Sequence, residues 1–305
     1  MKQRSPSKAM LPEASKNLAH LDINSYTVES STGNESIYIK EWKSKLQTKV
    51  EQHFIILHDI CDHHGRYEPL ASGLWELFSG KIHITFMDFK GHGLSSGSRS
   101  YIKNIDEYVE DLNNLIENDD NYHLKKTIIG QGLGGLVALS YIEAHEDRIK
   151  DRIKGVILSN PLLFLNLELH QLKDRALKSI NKYAGKMRFP YHIDGKEMTK
   201  DQQRYENYNS DPLVNHYMSI SLVEEVIRKS RSLIDYSYYL DFPVLMLLSK
   251  NDFLVNCEKS SLFLKGMPKE LACEKNYSHS RHDLFNEKVR DKVYLDIYNW
   301  VCETF

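Results

Sequence analysis

The stretch Ile128-Ile129-Gly130-Gln131-Gly132-Leu133-Gly134-Gly135-Leu136-Val137-Ala138-Leu139 joins a short β-branched run to a longer apolar one through four glycines. Its plain reading is a strand that turns tightly into a helix. The same letters fit two functional turns. Gly130, Gly132 and Gly135 satisfy GxGxxG, in which glycines let a pyrophosphate approach a helix N-terminus. Gly130, Gly132 and Gly134 have the spacing of GxSxG, the elbow that lifts a nucleophile above a sheet, with glycine at the serine position.

A dinucleotide site also demands an acidic residue about 20 residues on, at the end of the next strand, to hold the ribose hydroxyls. Here that strand, Val156 to Leu158, runs into Ser159-Asn160-Pro161, and Glu146, Asp147 and Asp151 precede it at its wrong end. Two strands also come before the motif, so no nucleotide and no other cofactor is expected. The elbow fits better, and in it the backbone N–H of Leu133 would face a developing oxyanion.

Working outward, short runs rich in β-branched residues recur at Phe54 to Leu57, Ile82 to Met87, Thr127 to Ile129, Val156 to Leu158 and Val244 to Leu248. They are too short for helices and read as buried parallel strands. Helical periodicity separates them at Tyr67 to Phe78, Ile105 to Ile116, Leu136 to Ala144 and Glu287 to Val301. Such alternation predicts an α/β fold with a mostly parallel, doubly wound sheet. Tyr26 to Val28 and Ile37 to Trp42, around Thr32-Gly33-Asn34, predict an edge hairpin. Residues 162–236 lack a convincing strand and predict a helical cap over the sheet's carboxyl edge. The expected organisation is a flexible N-terminal arm, 1–24, and a single domain, 25–305, carrying that cap.

The chain of 305 residues is 41% hydrophobic and 27% charged, enough for one substantial core, and its net charge of -2 gives no field favouring nucleic acid. No apolar segment follows Lys2 and Arg4, and no stretch approaches the ~20 apolar residues of a membrane span, so a cytoplasmic protein is expected. Cys61, Cys257, Cys273 and Cys302 are widely spaced and read as free thiols.

Further motifs lie at the strand ends. His58-Asp59-Ile60-Cys61-Asp62-His63-His64-Gly65-Arg66-Tyr67 resembles the HGxxxHxxRY segment of monoacylglycerol lipases and lysophospholipases, and Asp88-Phe89-Lys90-Gly91-His92-Gly93-Leu94-Ser95 is similar to their DxxGHGxS loop. Asn209-Ser210-Asp211-Pro212-Leu213 resembles a segment near the end of their cap, and Ser280 to Glu287 resembles their histidine loop. The resemblance runs from about Ser25 to the C-terminus. It implies an α/β-hydrolase of the serine aminopeptidase type that acts on lipid esters, with Gly132 at the nucleophile position, Asp252 as triad acid, His282 as triad base, and the N–H groups of Ile60 and Leu133 as the oxyanion hole. His279 is a rival for the histidine, without a glutamate at the spacing that Glu287 gives His282. The implied partners are a small lipid ester or acyl ligand, with peripheral membrane contact through the cap and no nucleic acid.

In that family the acid fixes the tautomer of the histidine, which takes and returns the nucleophile's proton. Glycine at 132 removes the hydroxyl, a loss on the order of 10⁶ in turnover, with about 10³ to 10⁴ over water left from the oxyanion hole and binding. The second departure is Asp59, where the family has glycine. Its carboxylate either points inward against a developing oxyanion or turns away to cap a turn. Two departures in one site point to natural divergence rather than a designed knockout. The chain is therefore expected to be a nearly inactive hydrolase or a non-catalytic binding module using the inherited acyl pocket. A metal cluster of His58, Asp59, Asp62, His63 and His64 is a further reading, but it leaves the later motifs unexplained and has no ligand group downstream.

Overall fold

The computed structural model describes residues 20–45, 50–119, 124–166, 184–191 and 193–305. Its strands are β1 (Leu21–Glu29), β2 (Ser36–Ser44), β3 (Gln52–Leu57), β4 (Ile82–Met87), β5 (Lys126–Gln131), β6 (Ile153–Ser159), β7 (Arg188–Pro190), β8 (Tyr217–Ser219), β9 (Val244–Ser249) and β10 (Ala272–Tyr277). All of these but β7 and β8 form one 8-stranded sheet in the order β1-β2-β4-β3-β5-β6-β9-β10. The hairpin β1–β2 is antiparallel and β2 joins β4 antiparallel, whereas every pair from β4 to β10 is parallel.

Successive side chains of a strand face opposite sides of a sheet. Ile55, Leu57 and Ile128 accordingly join the core that includes α2 (Asp106–Glu117), α3 (Leu133–Ala144) and the helix Ile220–Leu233. Phe54, Ile56 and Ile129 pack on the other side against α1 (Glu68–Leu77) and the C-terminal helix Arg290–Thr304. Burial on both faces explains why β3, β4, β5 and β9 read as continuous apolar runs. The α/β, doubly wound expectation is met.

Three details differ from the sequence reading. The arm was expected to reach Asn24, but β1 begins at Leu21; its side chains are mostly exposed, and an edge strand that meets the core through Leu21 and Val28 carries little pattern. Residues 1–19 lie outside the described residues. Helix α3 starts at Leu133 rather than Leu136, because Gly132 itself ends the turn. The cap contains helices Gly195–Met198 and Gln202–Ser210 as expected, but also a small antiparallel pair, β7 with β8, too short to show a period. The part of the cap at 167–183 lies outside the described residues.

Candidate active site

The elbow is held by backbone contacts. Gly132 has φ 49° and ψ -108°, a region strained for any residue with a side chain. Its N–H donates to the Ser159 carbonyl at 2.9 Å, and its own carbonyl accepts from Leu136 and Leu162. A Cβ at Gly134 would come within 2.7 Å of the Leu57 carbonyl carbon, so only glycine lets α3 lie this close to the end of β3.

The structure brings every residue expected at the site together at the carboxyl ends of the strands, and the space above Gly132 is filled. The side chain of Asp59 points inward. Its Oδ1 accepts from the Leu133 N–H at 2.8 Å and from the Ile60 N–H at 2.6 Å, and its Oδ2 lies 2.7 Å from His282 Nε2. On the far side of the ring, His282 Nδ1 lies 2.6 Å from Asp252 Oδ2. Asp252 Oδ1 accepts from the N–H groups of Leu254 and Val255, so both oxygens of this carboxylate are engaged as well. A Cβ built on Gly132 would have Asp59 Oδ2 at 2.7 Å and would overlap the carboxyl carbon and Oδ1. The two departures from the family pattern thus occupy one space.

Asp59 is fixed in this direction by its neighbours. Its N–H donates to the Tyr67 hydroxyl at 2.9 Å, which itself donates to Asp62. Its carbonyl accepts from His58 Nδ1 at 2.7 Å, while His58 Nε2 accepts from the Phe89 N–H. Burial holds the His58 imidazole neutral, with its pKa pushed down to about 4, which suits one nitrogen that donates and one that accepts.

The electrostatics of the central group run the other way. Burial alone would lower the pKa of His282, but the charges of Asp252 and Asp59 and their hydrogen bonds outweigh it and hold the imidazole well above its usual 6.5. Burial alone would raise the Asp59 carboxyl; the His282 charge and the hydrogen bonds from His282, Leu133 and Ile60 hold it below its usual 3.8. The group is an imidazolium donating from both nitrogens to two carboxylates. An imidazolium has no lone pair with which to take a proton.

Three polar residues not singled out by sequence reasoning pin the histidine loop. The carbonyl of His282 accepts from Gln131 Nε2 at 2.8 Å and Asn160 Nδ2 at 2.7 Å, and Ser249 Oγ donates to the Arg281 carbonyl at 2.6 Å. They stand at or just past the ends of β5, β6 and β9, polar endings to apolar strands, and that placement was the available clue. Glu287 ties the loop to the cap, accepting from the Arg281 and Lys200 N–H groups. His279 is exposed, so His282 alone of the two faces Gly132.

The histidines and acids of the 58–64 segment each hold a different partner: Asp62 meets Arg66, His63 meets Asp211 and His64 meets Asp88. Among the described residues no three such groups gather as metal ligands. A groove of about 750 Å³ beside α2, lined by Tyr26, Glu41, His53 and Lys126, lies at the amino ends of β3 and β5 and touches none of the site.

A doubly wound sheet, a strained elbow and a histidine backed by a carboxylate define an α/β-hydrolase. The model of the family described as serine aminopeptidase, S33 (Hydrolase_4), matches residues 48–289, and the chain belongs to that family. It is 24% identical over 254 residues to a phospholipase of Bacillus subtilis, covering 83% of this chain and 95% of that protein. It is 27% identical over 275 residues to the monoglyceride lipase of Rattus norvegicus, covering 87% and 86%. The structure of a soluble variant of monoglyceride lipase from Saccharomyces cerevisiae, in complex with a substrate analog, superposes with a TM-score of 0.80 at 20% identity, covering 96% of this chain and 99% of that one.

Proposed function

We propose that this protein is a non-hydrolysing member of the lipid-ester branch of its family, which binds an acyl ligand between cap and sheet without cleaving it by the serine route. The observation that carries this reading is the Asp59 carboxylate seated on the N–H groups of Ile60 and Leu133 and on His282 Nε2. In an active relative the two N–H groups serve an oxyanion, and the corresponding imidazole nitrogen accepts from a serine hydroxyl. Here all three are taken by an internal anion, Gly132 has no hydroxyl, and His282 is protonated, so attack, proton transfer and oxyanion stabilisation are each blocked.

The ligand class rests on the relatives, which include monoglyceride lipases and a phospholipase, and on the half-buried Tyr191 and Phe253, which pack against both the main core and a small apolar cluster of the cap. Four free cysteines fit a cytoplasmic location. The test is to assay the unmodified chain on p-nitrophenyl esters and monoacylglycerols, with a fluorophosphonate label and thermal shift alongside. No labelling, no turnover beyond the low residual level, and stabilisation by an acyl ligand are expected. Turnover like that of a serine lipase would overturn the reading.

A further inference from the structure

Three donors converge on Asp59: the N–H groups of Ile60 and Leu133 on one oxygen and the His282 imidazolium on the other. This is a complete carboxylate-binding nest. The free acid released by ester cleavage carries the group that such a nest fits, and here the chain supplies that group from the side chain of Asp59. An internal group needs no association step, so it outcompetes a dissolved one of the same chemistry.

We infer that Asp59 sets ligand selectivity, excluding long-chain carboxylates and admitting uncharged acyl ligands whose head group carries a hydroxyl. The inference rests on the acyl-pocket reading above. An incoming carboxylate finds no donor left and meets like charge, since Asp59, 1% exposed, already holds all three donors. A hydroxyl meets neither obstacle. Asp59 Oδ2 spends one lone pair on His282 and keeps another, which can accept from an alcohol O–H. An ester carbonyl needs the occupied donors just as a carboxylate does, so the hydroxyl end of a monoacylglycerol or a long-chain alcohol is the complementary group.

The experiment measures binding of monolauroylglycerol and of laurate, both below their aggregation concentrations, to the full chain and to Asp59→Gly and Asp59→Asn. The unmodified chain is expected to bind the glycerol ester at least about tenfold more tightly than laurate, a discrimination in the range of buried unpaired polar groups. Asp59→Gly empties the nest and is expected to abolish or reverse that ratio. Asp59→Asn keeps the shape, removes the charge and is expected to narrow it, which leaves a readable variant if the glycine form does not fold. Equal affinities in the unmodified chain, or a ratio unchanged in both variants, would overturn the inference while leaving the acyl pocket intact. No binding of either lipid to any of the three would overturn the acyl-pocket reading itself.

Discussion

Asp59 Oδ2 lies 2.7 Å from His282 Nε2, the nitrogen that a serine hydroxyl faces in an active triad, and both side chains are buried. The opposite nitrogen is 2.6 Å from Asp252. An imidazole between two anions keeps its second proton. In a pH titration followed by ¹⁵N NMR, His282 is expected to stay doubly protonated as the pH rises past 6.5. Asp59→Asn should shift its titration toward lower pH, since one of the two charges that raise it is gone. A ring that is neutral at pH 6.5 in the unmodified chain would contradict the ion-pair arrangement.

Restoring the nucleophile alone is expected to fail. A side chain at 132 overlaps the Asp59 carboxylate, so Gly132→Ser must force that carboxylate out of its nest before its hydroxyl can reach His282. Asp59→Gly alone frees the hole but supplies no nucleophile. The double variant is expected to exceed either single one by at least about 10²-fold in kcat/KM on p-nitrophenyl esters, part of the ~10⁶ that a nucleophile contributes in such a site. A fluorophosphonate should label it at residue 132. A single Gly132→Ser as active as the double would show that Asp59 is no obstacle.

The same contacts predict the pH dependence of stability. His282 has a raised pKa, so its contribution is fully present below about 6.5 and is lost as pH rises through the folded value. Asp59 has a lowered pKa, so its contribution is present above about 3.8 and is lost as pH falls through the folded value. Urea unfolding across pH should therefore show this pair's stabilisation at its greatest between those limits. Asp59→Asn should cost about 2–4 kcal/mol there and flatten both limbs. A variant as stable as the unmodified chain at pH 5.5 would refute this.

Asn160→Ala removes one donor from the His282 carbonyl and the acceptor for the Ser249 N–H. A loss of about 1–3 kcal/mol is expected from the buried groups left unsatisfied. In the double variant at 59 and 132 it should lower kcat more than it raises KM, because it positions the histidine and does not touch the acyl chain. An effect on KM alone would count against that positioning role.

The parallel strands were legible because burial on both faces leaves uninterrupted apolar runs, as in Phe54-Ile55-Ile56-Leu57. Edge elements were less so: β1 exposes most of its side chains, and β7 and β8 have only three residues each, too few for a period. Asp252, His282 and Gly132 were legible from strand-end motifs. The direction of Asp59 was not, since it depends on a hydroxyl at Tyr67, an N–H 74 residues away and an imidazole 223 residues away. Gln131, Asn160 and Ser249 escaped notice because their contacts with the histidine loop join segments distant in sequence.

The shared volume at 59 and 132 also orders the steps by which a serine triad could be built on this scaffold. Serine cannot enter first, because the acid stands in its way. Removing the acid first strips three donors of their acceptor and brings no reward in turnover until the second change arrives. On the non-hydrolysing reading proposed above, each single change toward a serine triad therefore begins with a loss, and the pair at 59 and 132 would act as an evolutionary ratchet against selection working one residue at a time.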